Sequence, residues 1–118
     1  MQERRRYVRL NINLEVIYSL EGEKIRYTTM SKNISPNGAR FLLEKEVPAD
    51  SILNLEVKIP TSDEPIPIKA KVVWSKKRTE QGKNIYDTGL EFVQIPEEST
   101  TVFFQYLCNL MYDQLRTI

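Results

Sequence analysis

The sequence contains no histidine in 118 residues and only one cysteine, Cys108. Histidine is the most common general base and metal ligand of proteins, so its absence excludes the usual catalytic triads and most metal centres. A lone cysteine cannot form an internal disulfide, and without histidine it cannot form a Cys–His nucleophile. Because Cys108 lies in an apolar segment, we expect it to be a small buried side chain.

Long apolar runs are also missing. No segment approaches the roughly 18 consecutive apolar residues of a membrane span, and residues 10–18 alternate in polarity, unlike the core of a signal peptide. We therefore expect a cytoplasmic protein that does not contact a membrane. The chain has no phosphate-binding loop, dinucleotide fingerprint or serine-nucleophile motif. The acidic residues mostly alternate outward along strand patterns, and we see among them no acid–base pair and no metal-binding cluster. Together with the missing motifs, this predicts no enzymatic activity, no metal site and no cofactor.

What the chain does have is a cluster of arginines at its start. Arg4, Arg5, Arg6 and Arg9 lie close together, whereas the net charge of the whole chain is only +1. The guanidinium group is planar, always charged, and carries a fork of donors that suits phosphate groups and aromatic rings. Arg5 and Arg9 form an R-x-x-x-R pattern. Taken alone, this segment is compatible with a solvated basic tail.

Six segments alternate apolar and polar residues with a period of two, the pattern of strands that bury one face. In the first segment, Leu10, Ile12, Leu14, Val16 and Tyr18 share one face. Stretches rich in Pro, Gly, Asn and Asp separate the segments and predict turns. The expected strands span residues 10–20, 24–32, 38–44, 51–59, 66–76 and 84–95, with a loop over residues 78–83.

After the sixth strand the apolar period changes to three and four residues, which predicts an amphipathic helix over residues 97–116. Its apolar stripe is wide because Phe104, Cys108 and Tyr112 extend it. The stripe either covers the open end of a barrel or partly contacts a partner or a second copy. Six short strands and one helix predict a mainly β fold, a six-stranded antiparallel barrel with a C-terminal helix.

The turn between the second and third strands contains the pattern N-x-S-x-x-G, formed by Asn33, Ser35 and Gly38. Within it, Pro36 fixes its own φ, and Gly38 is free to adopt a positive φ. Such a turn can present side chains and backbone N–H groups to a polar or anionic ligand. Alternatively, its Asn and Ser side chains bond the backbone of the turn itself.

Two motifs in this order, separated by one hairpin, resemble the signature of the PilZ family: R-x-x-x-R at Arg5 and Arg9, then [D/N]-x-S-x-x-G at Asn33, Ser35 and Gly38. Residues 72–74 and 89–92 are similar to the later strands of that family, so the resemblance covers essentially the whole chain. Many members have Asp where this chain has Asn33, which keeps an acceptor oxygen but lacks the charge.

The resemblance implies a receptor for cyclic di-GMP, a bacterial second messenger, that binds the ligand on the outer surface of the barrel. Arg5 and Arg9 would contact its phosphates and guanine rings. Asn33 and Ser35 would bond a guanine edge or a phosphate, and Gly38 would let the backbone approach closely.

The number of ligand molecules is left open by the sequence. A third guanidinium, that of Arg4, would serve a second, intercalated molecule of cyclic di-GMP, and we favour two molecules over one. Arg40, Trp74 and Arg78 are secondary ligand-binding candidates. For Trp74, a place in the core and a place at the edge of the site are both compatible with the pattern.

The chain is expected to be a single domain over residues 1–118, with a flexible ligand-wrapping segment over 1–9, the barrel over 10–95 and the helix over 97–116. Ligand binding would order the first segment, and the signal would pass to a separate, unidentified protein. One alternative is a small barrel that binds single-stranded nucleic acid, which the near-neutral net charge disfavours. Another is a PilZ-like adaptor without a nucleotide, which the intact motifs disfavour.

Overall fold

The computed structural model describes residues 9–116. The strands are Glu15–Leu20 (β1), Tyr27–Ser35 (β2), Gly38–Leu43 (β3), Ile52–Val57 (β4), Ile66–Glu80 (β5) and Lys83–Gln94 (β6), and the helix is Glu97–Arg116 (α1). All neighbouring strands pair antiparallel, and the sheet closes into a barrel in the order β1-β2-β3-β6-β5-β4. The fold expected from the sequence, a six-stranded antiparallel barrel with a C-terminal helix, is confirmed.

Inward-facing side chains of the strands fill the barrel. Successive residues of a strand point to opposite faces, so alternate positions are buried. In β1, Val16 and Tyr18 are buried at 0% and 2% exposure, and in β3 Phe41 is fully buried. Phe103 and Leu107 of α1 join the same core. The alternation leaves the other residue of each pair on the outer face, where a ligand can reach it.

The first strand is shorter than its alternating pattern predicts. Residues 10–14 lie beside β2 without forming a regular strand, and the hydroxyl of Ser31 supplies hydrogen bonds in place of the ladder. This hydroxyl accepts from the Leu14 N–H at 2.9 Å and donates to the Ile12 carbonyl at 2.7 Å. The pairing of β2 with β3 shifts register between Ser31 and Asn33. Such irregularities turn side chains to new directions at the end of a strand.

The hairpin of β5 and β6 is longer than predicted and extends past the pairing of β6 with β3. The loop expected over residues 78–83 is wrong, because pairing continues to Glu80 and Lys83 and only Gln81 and Gly82 form the turn. Gln81 and Gly82 have φ angles of 51° and 78°. Positive φ at both central residues is the type I′ geometry, which matches the twist of a two-residue hairpin.

Helix α1 buries only part of its apolar stripe. Phe103, Tyr106 and Leu107 pack on the core, whereas Phe104 and Met111 are each 36% exposed. The expectation that Cys108 is buried is wrong, since it lies on the exposed side of the helix. Among the described residues, no helix has the length and apolar character that crossing a bilayer requires.

A candidate ligand-binding surface on four adjacent strands

Four side-chain positions line up across the outer face of the barrel. Asn33 on β2 is the cross-strand partner of Arg40 on β3, and Arg40 is the partner of Gly89 on β6. Gly89 in turn is the partner of Trp74 on β5. We call these residues the four-strand row. Because backbone hydrogen bonds join each pair of strands, the order and spacing of the row are set by the sheet.

Arg9 joins one end of the four-strand row. Leu10 exchanges two backbone hydrogen bonds with Ile34, at 2.8 and 3.0 Å, which fixes the segment before β1 to the end of β2. Arg9 then lies beside Asn33, and its Nη1 donates to the Asn33 Oδ1 at 3.1 Å. The last arginine of the R-x-x-x-R pattern therefore contacts the first residue of the N-x-S-x-x-G pattern.

The turn between β2 and β3 uses its own polar groups. Ser35 pairs with Gly38 across it, so Pro36 and Asn37 alone form the turn. The buried hydroxyl of Ser35 donates to the Asn37 Oδ1 at 2.7 Å and lies 3.3 Å from the Gly38 carbonyl oxygen. The Asn37 N–H also points to this hydroxyl, at 3.4 Å. The Ser35 side chain thus shapes the turn, and Asn37 is an exposed polar residue within it.

Gly38 is required for space and not for its backbone angle. Its φ is not positive, unlike that of Gly22 and Gly82, so Gly38 does not use the freedom of glycine to adopt a left-handed conformation. A Cβ atom at Gly38 would come within 2.4 Å of the carbonyl oxygen of Leu90 on β6. This close approach of β3 to β6 lies next to the turn, whose Asn37 carbonyl accepts from the Phe92 N–H of β6 at 2.8 Å.

Arg40 is held by a carboxylate on the next strand. Its Nε donates to Asp87 Oδ1 at 2.7 Å and its Nη2 donates to Asp87 Oδ2 at 2.6 Å. The side chain of Asp87 is 9% exposed, and Arg78 Nη1 lies 3.7 Å from its Oδ2. The hydrogen bond to Asp87 raises the pKa of Arg40 above its ordinary value. Arg78 also pairs with Glu80.

Trp74 completes the row on β5. The register of β5 against β6 shifts between Val72 and Trp74, so Val72 faces the core while Trp74 lies outside at 38% exposure. Of the two alternatives that the sequence left open for Trp74, the place in the core is therefore wrong. Its indole lies over Gly89, and the Lys76 Nζ is 5.9 Å from the ring centroid. The result is an aromatic surface at one end of the row and an Arg–Asn pair at the other.

The structure brings most of the candidates to one surface: Arg9, Asn33, Arg40, Trp74 and Arg78 lie on it, with Ser35 and Gly38 beneath its edge. Arg4 and Arg5 lie outside the described residues, as does Arg6. Sequence reasoning missed Asp87, and it missed that Gly89 leaves the space on which the Trp74 indole lies. Asp87 stands 47 positions from Arg40 in the chain, and a single sequence carries no signal for that pair.

Comparison with known families identifies the fold. The family model described as "PilZ domain" matches residues 3–108. The chain belongs to the PilZ domain family. The match includes both motifs and all six strands of the barrel, and it ends within α1.

Several solved structures superpose on almost the whole chain. The Bacillus subtilis inhibitor of motility (MotI/DgrA) has a TM-score of 0.74 at 22% identity, with 95% of this chain and 53% of that chain covered. The K. pneumonia MrkH–c-di-GMP complex has a TM-score of 0.74 at 16% identity, with 99% of this chain and 57% of that chain covered. The PilZ domain of Escherichia coli YcgR with c-di-GMP has a TM-score of 0.68 at 15% identity, with 98% of this chain and 96% of that chain covered.

The chain thus spans about half the length of MotI/DgrA and MrkH, and nearly all of the YcgR domain. At these identities the likeness shows the shared fold. The comparison with curated proteins finds no significant match.

Proposed function

We propose that this protein is a receptor for cyclic di-GMP that binds the ligand on the outer face of β2, β3, β6 and β5. The observation that carries the proposal is the hydrogen bond between Arg9 and Asn33, which joins the two halves of the family signature. Two of the structural relatives, MrkH and the YcgR domain, are complexes with c-di-GMP. The role proposed is recognition and signalling, without catalysis.

The chemistry of the surface suits this ligand. Cyclic di-GMP carries two phosphate charges and two guanine rings, and arginine offers bidentate donors to phosphate or to guanine O6 and N7. Arg9 and Arg40 supply such groups, and Trp74 offers a ring for stacking at the other end of the row. Asn33 would bond a guanine edge. Arg5, together with Arg9, would grip the ligand, with the segment over residues 1–9 closing on it.

Isothermal titration calorimetry with cyclic di-GMP tests the proposal. We expect a dissociation constant on the order of 1 µM, equivalent to about −8 kcal/mol. Arg9→Ala and Arg5→Ala should each weaken binding about ten- to hundred-fold, because each removes at least one charge-assisted hydrogen bond. Absence of binding at about 100 µM ligand would overturn the proposal.

Two controls sharpen the titration. Arg26→Ala removes an exposed arginine that pairs with Glu56 of β4, on the opposite side of the barrel from β3, and should leave the affinity unchanged. Cyclic di-AMP has the same charges and ring size but a different base edge, so it should bind much more weakly. The fitted stoichiometry decides between one ligand and an intercalated pair, in which Arg4 would contact the second molecule.

The calorimetry also separates the receptor from a nucleic-acid-binding barrel. Single-stranded oligonucleotides would bind more tightly with increasing length and lose affinity steeply with salt. A receptor that passes its signal to an unidentified partner protein should instead bind the cyclic dinucleotide in preference to an oligonucleotide of any length.

A further inference from the structure

Asp87 is an unusual residue for the outer face of a sheet. Its carboxylate is only 9% exposed, because the guanidinium of Arg40 covers it. Both of its oxygens accept from Arg40, at 2.7 and 2.6 Å, and Arg78 approaches Oδ2 at 3.7 Å. Solvated acidic residues of a strand normally lie open to water. Asp87 is instead committed to arginines that belong to the candidate ligand-binding surface.

The two hydrogen bonds fix the orientation of Arg40. A guanidinium held through Nε and Nη2 cannot rotate about its long axis, and its remaining edge, with Nη1, points away from the carboxylate. The Nη1 atom has no hydrogen-bonding partner within residues 9–116. Arg40 is also the cross-strand neighbour of Asn33, which in turn accepts from Arg9. The free edge of Arg40 therefore lies in the same surface as the Arg9–Asn33 pair.

We propose that Asp87 is a positioning residue of the ligand site, which holds Arg40 so that its free Nη1 edge meets a phosphate or guanine edge of the ligand. This inference rests on the proposed function. Arginine has many rotamers, and fixing it during folding removes that entropy cost from the binding step. Asp87 thus improves the binding of an anion although it is itself an anion.

The direction in which Asp87→Asn changes the ligand affinity shows whether Asp87 positions Arg40 or acts only through its negative charge. Asp87→Asn keeps the shape of the side chain but removes the negative charge and one acceptor. If Asp87 acted only through its charge, its removal would strengthen binding of an anionic ligand. If it positions Arg40, Asp87→Asn should weaken cyclic di-GMP binding about ten-fold, the worth of a lost charge-assisted hydrogen bond.

A double-mutant cycle shows whether the effect passes through Arg40. We expect Asp87→Asn to weaken binding in the wild-type background and to change it less than about two-fold in the Arg40→Ala background. The matched control is Glu56→Gln, which also removes one charge and one arginine partner but lies on β4, across the barrel from β3. It should leave binding unchanged. Circular dichroism of each variant at the titration temperature verifies that it is folded.

The outcomes are separable. Wild-type binding with an unchanged or tighter Asp87→Asn variant would refute the positioning role and leave the receptor intact. An equal loss in both backgrounds would also refute it, because the effect would not require Arg40. Failure of the wild-type protein to bind would remove the receptor and the positioning role together.

Discussion

The indole of Trp74 occupies the space that a side chain at Gly89 would need. A Cβ atom on Gly89 would come within 2.2 Å of the Trp74 Nε1 and 2.4 Å of its Cε2. The φ of Gly89 is not positive, so its backbone conformation is open to other residues. Glycine is required here because the tryptophan lies flat on its neighbouring strand.

Gly89→Ala should displace the indole without unfolding the barrel. Trp74 is already 38% exposed, so it can swing outward, and we expect a loss of unfolding free energy below about 1.5 kcal/mol. Trp74 is the only tryptophan, so its fluorescence emission should shift to longer wavelength. Gly82→Ala is the matched control: its φ of 78° makes alanine strained, yet the emission should stay unchanged. An unshifted emission in Gly89→Ala would contradict the packing described.

Gly38→Ala should be the more damaging glycine substitution. Its Cβ would lie 2.4 Å from the Leu90 carbonyl oxygen, and that backbone atom cannot rotate away as an indole can. We expect a loss of about 2–3 kcal/mol in unfolding free energy, the cost of overpacking a close contact between strands. Urea denaturation of Gly38→Ala and Gly89→Ala side by side measures the difference. A smaller loss for Gly38→Ala would contradict this order.

Two adjacent phenylalanines of α1 should contribute very different amounts to the unfolding free energy. Phe103 is fully buried and lies in edge contact with Phe92, with ring centroids 6.0 Å apart. Phe103→Ala should cost about 3–5 kcal/mol, whereas Phe104→Ala, at 36% exposure, should cost less than about 1 kcal/mol. Urea denaturation monitored by circular dichroism gives both values. Equal losses would show that the helix packs through a different face.

Stability should fall in strongly alkaline solution because of Tyr18. Burial, together with the charges of Tyr27 and Glu44, raises the pKa of Tyr18 to about 12, against 10.0 for the ordinary side chain. The folded protein therefore keeps a proton that the unfolded chain loses first. This contribution is fully present below pH 10 and is lost between pH 10 and 12, by about 1.4 kcal/mol per pH unit.

Unfolding free energies of wild type and Tyr18→Phe, measured from pH 9 to pH 12, test this titration. The variant lacks the ionising hydroxyl, so its stability should decline less steeply than that of wild type above pH 10. Parallel curves for the two proteins would show that Tyr18 does not contribute to the alkaline loss.

The fold was predictable where one face of a strand is buried, and less so elsewhere. Val16 and Tyr18 showed the two-residue period and lie in β1. Residues 10–14 show the same period, yet the Ser31 hydroxyl takes hydrogen bonds that a ladder would make. The outer hairpin around Gln81 has no buried face, so a hydrophobic pattern could not reveal its strands.

The candidate surface was predictable only through short motifs. Asn33 and Arg9 were found by their spacing, and they are in contact. Trp74 shares a two-residue period with the buried Val72, but an irregularity in β5 turns it outward. The bond between Arg40 and Asp87 depends on the register of β3 against β6, which is a tertiary property. Cys108 looked apolar and buried because the helix stripe is wider than the face that packs.

The closed sheet fixes the distance between the two ends of the four-strand row. From Asn33 to Trp74 there are three inter-strand steps of about 4.8 Å, so the ends lie roughly 14 Å apart along the sheet. Backbone hydrogen bonds hold this distance at every step, and closure of the barrel prevents the strands from spreading. A single ligand that contacts both the Arg9–Asn33 pair and the indole must bridge that separation, so we expect a ligand that reaches only one end of the row to bind more weakly.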